Sequence, residues 1–209
     1  MEKTLRKYFP LFVLPTLAAF IIGFIIPFGQ GIYLSFCKFT TVNNAKWVGV
    51  SNYFTAFQDA TFAHAFWFTI AFAVVATLLI NLLAFMVALV LTRGIKGTNV
   101  FRTIFFMPNL IGGIVLGYIW QILINCVLSL VGKPLLALNT PAGYWGLIIL
   151  MAWQQVGYMM IIYIAGLQNV SPDLLEAAQI DGANSWQSLV KVKLPMVMPS
   201  ITICLFLSV

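Results

Sequence analysis

Hydrophobic residues in this chain form long, uninterrupted blocks. Four stretches, 8–37, 60–92, 103–132 and 134–172, contain no Lys, Arg, Asp or Glu. Each stretch is longer than the roughly 20 residues that a helix needs to cross a bilayer. Because strand-period alternation is absent, these stretches are predicted to be helices, which satisfy their backbone hydrogen bonds internally. The pattern predicts an integral membrane protein.

The hydrophobic blocks place about five membrane spans along the chain. The spans lie at about 9–34, 66–91, 104–124, 145–167 and 199–209, and a polar segment, 168–198, separates the last two. Only about 16 residues, or about 24 Å of helix, follow Lys193, so the fifth span is predicted to be incomplete at the C-terminus. The predicted fold class is all-α integral membrane, a polytopic helical bundle that forms one domain over residues 1–209.

The composition excludes a soluble globular domain. Charged residues make up 8% of the chain and hydrophobic residues 62%, whereas about a quarter of a soluble domain is charged. In a soluble protein the net charge of +6 would suggest a nucleic-acid partner. In a membrane protein the positions of the charges are more informative than their sum.

The basic residues are divided unevenly between the two predicted sides of the membrane. One side has Lys3, Arg6, Lys7, Arg93, Lys96, Arg102, Lys191 and Lys193, and the other has Lys38, Lys46 and Lys133. Cytoplasmic loops of membrane proteins carry the excess of Lys and Arg. We therefore predict a multi-pass protein of the cell membrane whose N-terminus and segment 168–198 are cytoplasmic, with no nucleic-acid partner.

No motif for chemistry is visible in the sequence. The phosphate-binding pattern G-x-x-x-x-G-K-[ST] and the zinc pattern H-E-x-x-H are both absent. His64 is the one histidine, and the three cysteines do not have metal-ligand spacing. The chain is therefore predicted not to be an enzyme, with no catalytic residue, no metal and no cofactor.

The polar segment begins with strong helix signals. Ser171 is a good N-cap, Pro172 suits the first helical position, and Asp173 and Glu176 complement the positive end of the helix dipole. Gly182 can adopt the left-handed conformation that ends a helix. The sequence predicts a short helix that stops at Gly182.

A second short helix is predicted directly afterwards. Asn184 and Gln187 have the spacing of a capping box, and Pro195 is expected to end the helix. An ordinary interfacial loop is the alternative interpretation. Docking into another protein is favoured because Ala177 and Ala178 leave the backbone of the first helix accessible.

These motifs carry a family resemblance. Glu176-Ala177-Ala178, Asp181-Gly182-Ala183, Leu194-Pro195 and Pro199 resemble the EAA loop of binding-protein-dependent ABC transporter permeases. The resemblance implies that the loop is a coupling helix that sits in a cleft of the ATPase subunit. The residues implied to make this ATPase coupling are Glu176, Ala177, Ala178, Asp181, Gly182 and Ala183.

The resemblance extends over nearly the whole chain. Segments 47–69, 102–125 and 166–183 are similar to carbohydrate-type permeases, in particular to the first permease subunit of maltose, lactose or glycerol 3-phosphate systems. It implies a sugar substrate and several partners: a second homologous permease subunit, a dimer of ATP-binding cassette ATPases, an extracytoplasmic solute-binding protein and the lipid bilayer. The family has at least six spans, so the chain is expected to lack the remainder.

Polar and aromatic residues within the predicted spans are candidates for a sugar path, because such groups are costly in lipid unless they face a cavity or a partner. The candidates are Gln154, Gln155 and Tyr158 in the fourth span, and Trp120, Gln121 and Asn125 near the outer end of the third. The alternatives are interhelical hydrogen bonds for the amides and interface anchoring for the aromatic rings. For Asn81, in the second span, the hydrogen-bonding interpretation is favoured. Gly113 and Gly117 predict a close-packing helix face.

Three alternative functions remain open. The first is an ABC permease for another solute, such as a phosphorylated polyol. An ion-coupled secondary transporter is disfavoured, because it would need ionisable groups within the spans. A membrane-bound enzyme is disfavoured by the absence of a paired acid and base or a metal cluster.

Overall fold

A computed structural model describes residues 2–136 and 140–209, with backbone only for 2–8, 10, 42 and 140. This described part is helical almost throughout, which confirms the all-α prediction. Its one β-element is a two-residue antiparallel pair, Cys37–Lys38 (β1) with Lys46–Trp47 (β2). The side chains of Lys3, Arg6 and Lys7, which contributed to the predicted orientation, lie outside the described part.

The α-helices follow one another with short connections. They are α1 Glu2–Phe20, α2 Ile26–Ser35, α3 Ser51–Gln58, α4 Ala60–Leu91, α5 Thr98–Phe106, α6 Gly113–Leu130, α7 Thr140–Gln168, α8 Pro172–Ile180, α9 Ser185–Ser188 and α10 Leu194–Ser208. Within the described residues, five segments are long and apolar enough to cross a membrane: Leu11–Ser35, Ala60–Leu91, Gly113–Leu130, Pro141–Gln168 and Ser185–Ser208. Contacts divide the chain into two compact units, one up to Trp67 and one from Phe68 onward.

The first unit contains a short β-hairpin that is held in place by the side-chain amide of one residue, Asn52. The Asn52 side chain donates hydrogen bonds to the backbone carbonyls of Ser35 and Cys37, both at 2.9 Å. The Trp47 ring stacks on Phe36 with a centroid distance of 5.3 Å. These contacts hold the end of α2, the β-pair and the start of α3 together.

The third membrane span begins later than predicted. The predicted span, 104–124, joins two elements that the structure separates: α5 ends at Phe106, and α6 begins at Gly113. Pro108 lies in a 3₁₀ turn between them, and Gly112 is in an extended conformation. Proline and glycine interrupt the helical hydrogen-bond pattern here, although the stretch is uniformly apolar.

The prediction that Pro195 ends a helix is wrong. The chain is helical from Ser185 to Ser208, so the fifth candidate span begins well before the predicted residue 199. A π-helical segment, Leu189–Lys193, precedes the proline, and Leu194 N–H bonds to the carbonyl of Leu189. This five-residue spacing widens the turn, which lets the helix continue past a residue that lacks an N–H donor. The first span uses the same device, with a π-segment at Ile21–Ile25 before Pro27.

The core of the second unit lies between α4, α7 and α10. Its buried residues include Ile80 and Ala84 of α4, Met159 and Tyr163 of α7, and Val197 of α10. Tyr163 bridges α7 and α4, since its ring packs edge-on against Phe85 of α4 with a centroid distance of 5.4 Å.

Two glycines of α7 set the closest helix approaches. A Cβ added at Gly157 would overlap the backbone carbonyl of Phe105, and one added at Gly166 would overlap the side chain of Ser200. The predicted close-packing glycines, Gly113 and Gly117, have no described atom within 4 Å of such a Cβ. The close-packing role of that pair stays a prediction, and within the described residues α7 carries the closest glycine contacts.

A buried polar network ties the same three helices together. Asn81, 8% exposed, donates to the Thr77 carbonyl and to Ser208 Oγ, both at 2.8 Å. The hydroxyl of Tyr163, 1% exposed, donates to Asn81 Oδ1 at 2.7 Å. The favoured interpretation of Asn81 as an interhelical hydrogen-bonding residue is confirmed.

Gly157→Ala is predicted to destabilise the protein by about 1–3 kcal/mol, because the obstructing atoms belong to the α5 backbone and cannot rotate away. Gly117→Ala is the matched control, since it adds the same methyl group to a helix where no described atom lies nearby. Thermal unfolding of the purified, detergent-solubilised protein measures the difference. Equal melting temperatures for the two variants would contradict the close contact at Gly157.

Candidate functional site

The turn at the end of α8 has a complete helix-stop geometry. Gly182 has φ +79°, in the left-handed region. Its N–H bonds to the Gln179 carbonyl at 3.0 Å, and Ala183 N–H bonds to the Ala178 carbonyl at 2.9 Å. These are the two hydrogen bonds of the Schellman motif. The predicted stop at Gly182 is confirmed, and α8 starts as predicted after Ser171, with Pro172 in its first turn.

The predicted capping box is also present. Gln187 N–H donates to Asn184 Oδ1 at 2.8 Å, and Asn184 N–H donates to Gln187 Oε1 at 2.9 Å. The helix that it starts continues through the π-segment into α10, so the second helix is not the short, separate element that the sequence predicts. Residues 181–184 are therefore the one non-helical connection between α8 and the fifth candidate span.

The six residues of the EAA-like motif surround this turn. Leu175, within α8, packs against the buried core and anchors the helix on one side. The motif presents exposed Glu176, Ala177, Asp181 and Gly182, with Ala178 and Ala183 half-buried. No ion pair is found for Glu176 or Asp181 among the described residues, so both carboxylates can accept hydrogen bonds from another chain. The motif therefore forms an accessible helix surface of small residues, flanked by the carboxylates of Glu176 and Asp181.

The candidate substrate-path residues of α7 lie beside its buried face. Gln154 and Gln155 are half-buried, and Tyr158 is exposed. Within residues 2–136 and 140–209, no hydrogen bond is found for either glutamine side chain. Half-buried amides without protein partners can bind the hydroxyl groups of a ligand.

Two candidates of α6 occupy the middle of that helix, since it runs from Gly113 to Leu130 rather than ending near 124. Trp120 packs edge-on against Trp153 of α7, with ring centroids 5.6 Å apart. Gln121 is exposed. The tryptophan pair brings α6 next to the α7 segment that carries the glutamines.

Asn125 has a structural contact that the sequence does not reveal. Its Oδ1 accepts a hydrogen bond from Leu136 N–H at 2.8 Å, which ties the loop after α6 back to the helix. The partner, Leu136, is eleven residues away, beyond a turn at Gly132. The spacing of residues within the helix therefore cannot predict this hydrogen bond.

In the sequence, Arg93 and Lys193 contribute only to the predicted orientation of the chain in the membrane. The structure brings both to one cavity of about 550 Å³ beside the turn after α8, together with Gln179, Ser185 and Ser188. The two basic residues are a hundred positions apart, and only the folded arrangement of α4 and the π-segment brings them together.

The family model for binding-protein-dependent transport system inner membrane components matches residues 80–209. A probable starch degradation products transport system permease of Thermoanaerobacterium thermosulfurigenes is 41% identical, over 95% of this chain and 70% of the relative. A multiple sugar-binding transport system permease of Streptococcus mutans is 32% identical, over 97% of this chain and 73% of the relative.

The fold is also found among solved structures. The crystal structure of a bacterial ABC transporter involved in import of the acidic polysaccharide alginate matches with a TM-score of 0.80 and 23% identity. The match covers 99% of this chain and 74% of that chain. It shows that the two chains share a fold.

Proposed function

Because this chain belongs to the family of binding-protein-dependent transport system inner membrane components, we propose that it forms half of the path through which an ATP-driven importer takes up a carbohydrate. Family membership confirms a multi-pass membrane subunit of a transporter rather than an enzyme. The proposed partners are a homologous second permease, a dimer of ATPase subunits and an extracytoplasmic solute-binding protein.

One observation carries the choice of cargo: the half-buried, unpartnered amides of Gln154 and Gln155 lie near aromatic rings in a segment without charges. Sugars offer hydroxyl groups to amides and apolar ring faces to aromatic side chains. The substrates for which the relatives are named, starch degradation products and multiple sugars, support the same substrate class. Tyr158 and Trp120 complete the proposed path, with Gln121 and Asn125 at its edge.

A phosphorylated polyol is the second candidate cargo. Its phosphate carries one to two negative charges, and burial of such an anion requires a cationic partner. The path segments of α6 and α7 contain no Lys or Arg. A neutral carbohydrate therefore fits these residues better.

Coupling to ATP hydrolysis is assigned to the turn after α8. Glu176 would accept hydrogen bonds from the ATPase, and the small side chains of Ala177 and Ala178 would let the helix enter a cleft. Asp181, Gly182 and Ala183 set the direction of the chain that leaves the cleft. ATP can drive the cycle only if the ATPase binds this surface differently in the inward- and outward-facing states. The continuous helix from Ser185 to Ser208 offers a rigid route for that difference.

The proposed orientation can be tested by cysteine labelling. Ile180 is 85% exposed on α8, and Lys133 is exposed in the loop after α6, at the opposite end of the predicted topology. In a Cys126→Ser background, an impermeant maleimide is expected to label Lys133→Cys in right-side-out vesicles and Ile180→Cys only in inside-out vesicles. Labelling of both from the same side would contradict the topology.

The coupling proposal predicts a difference between two substitutions at Gly182. Valine is strained at φ +79°, by about 1–2 kcal/mol, whereas asparagine tolerates the left-handed region. In the complete, assembled transporter, Gly182→Val should lower sugar uptake by about tenfold and either retain uncoupled ATPase activity or release the ATPase. Gly182→Asn should keep uptake within about twofold. Since no described atom lies within 4 Å of the Cβ position, a clash inside the chain would not explain the loss. Wild-type uptake by the valine variant would remove the role of this turn.

The cargo proposal predicts that Gln154→Ala and Gln155→Ala reduce sugar uptake by about tenfold, because loss of a hydrogen bond to a buried ligand costs about 1–2 kcal/mol. Basal ATPase activity of the assembled complex should be retained. Gln168→Ala is the matched control, since Gln168 is an exposed glutamine at the end of the same helix. Parallel loss of uptake and basal ATPase activity in the first two variants would indicate damaged assembly instead of lost substrate contact.

A further inference from the structure

The cavity beside the turn after α8 has the lining of an anion site. It lies between the end of α4, the turn at Ala183 and the start of the fifth span, and its volume is about 550 Å³. This is within the range of small-ligand pockets, about 300–1,000 Å³. All its lining residues belong to the second unit.

The charged residues that line this cavity are both basic. Arg93, just after α4, and Lys193, at the end of the π-segment, both line the cavity. Neither forms an ion pair among the described residues. No Asp or Glu lines the cavity. The nearby Asp181 lines a different cavity, on the other side of the turn, together with Lys191. Two cations that line one cavity without a carboxylate repel each other, and a bound anion would reduce that repulsion.

The neutral lining adds hydrogen-bond donors. Asn184 Oδ1 is engaged by Gln187 N–H, so its amide NH₂ group is the part that remains available to a ligand. Ser185 and Ser188 contribute hydroxyl groups. An Arg guanidinium can donate two parallel hydrogen bonds to a phosphate, and a lysine adds a mobile positive charge. Together these donors match the tetrahedral oxygens of a phosphate group.

We propose that this cavity binds a phosphate-bearing anion, with Arg93 and Lys193 as its charged ligands. The bound anion links the end of the second span to the segment that follows the coupling turn, and so restrains the turn. Two sources carry the same chemistry: the headgroup of an anionic lipid, which is attracted to basic residues at the cytoplasmic surface, and a free phosphate compound.

The test uses the complete transporter complex in nanodiscs. Trp186, 70% exposed, lies between two lining serines, so Trp186→Cys, in a background with Cys126→Ser and without other exposed cysteines, takes an environment-sensitive fluorophore next to the cavity. One arm titrates inorganic phosphate against chloride at constant ionic strength in phosphatidylcholine. The other raises the fraction of phosphatidylglycerol in phosphate-free buffer.

A saturable fluorescence change is expected in at least one arm. Arg93→Gln and Lys193→Gln should each weaken it about tenfold, as expected for loss of a hydrogen bond to a charged group. Lys191→Gln is the matched control: it removes the same charge from the same π-segment but lines the other cavity, and its response should stay within about twofold of the wild type. Saturation with phosphate identifies a soluble ligand, and saturation with phosphatidylglycerol alone identifies a lipid headgroup.

Three results would overturn the proposal. The first is no saturable change in either arm. The second is an equal response in all three charge variants, which would indicate general screening. The third is release of the ATPase by Arg93→Gln and Lys193→Gln without any anion response, which would place a carboxylate of the ATPase in the cavity. Retention of sugar uptake by the labelled parent separates these results from a failure of the proposed transport function.

Discussion

The second unit depends on the contacts that three elements make with a single helix, α7. Gly157 lies against the backbone of Phe105, Gly166 lies against Ser200, and between them Tyr163 bonds to Asn81. A bilayer supplies no hydrophobic force to drive one helix against another, so association relies on close van der Waals contact and interhelical hydrogen bonds. Both occur within about three turns of α7, where Gly157 and Gly166 face different neighbouring helices.

This concentration leaves the rest of α7 available for function. The glutamines proposed to contact sugar lie beside the packed face, and the same helix leads to Ser171 and α8 through a short connection. The turn after α8 continues into the helix that carries Ser200 and Ser208. The proposed coupling surface is therefore joined to α7 twice, once through the chain and once through the packing of α10. Packed helices therefore lie between the turn and the proposed path.

Some prolines in this chain lie within helices that continue past them, and others lie where a helix ends. Pro27 and Pro195 each follow a π-helical segment, and the helix continues past both. Pro108, which lies in a 3₁₀ turn beside Gly112, separates two helices. A widened turn can absorb a missing donor, although the helices also continue past Pro15 and Pro199 without a π-segment directly before them. An extended glycine breaks the hydrogen-bond pattern.

The sequence by itself determined the features that arise from local chemistry. Long charge-free blocks require helices in a membrane, and Gly182 and the Asn184–Gln187 pair define their helix ends through bonds between residues at most five positions apart. Ser171 occupies the predicted N-cap position of α8 without a side-chain capping bond. Tertiary structure decided which glycines are close-packed, since Gly117 has good spacing but no neighbour, while Gly157 lies against a helix about fifty residues earlier in the chain. It also gave Asn125 a hydrogen bond from the loop after α6, and it placed Arg93 and Lys193 in the lining of one cavity. These outcomes depend on which helix faces meet, and a uniformly apolar helix carries no periodic pattern that would identify its buried face.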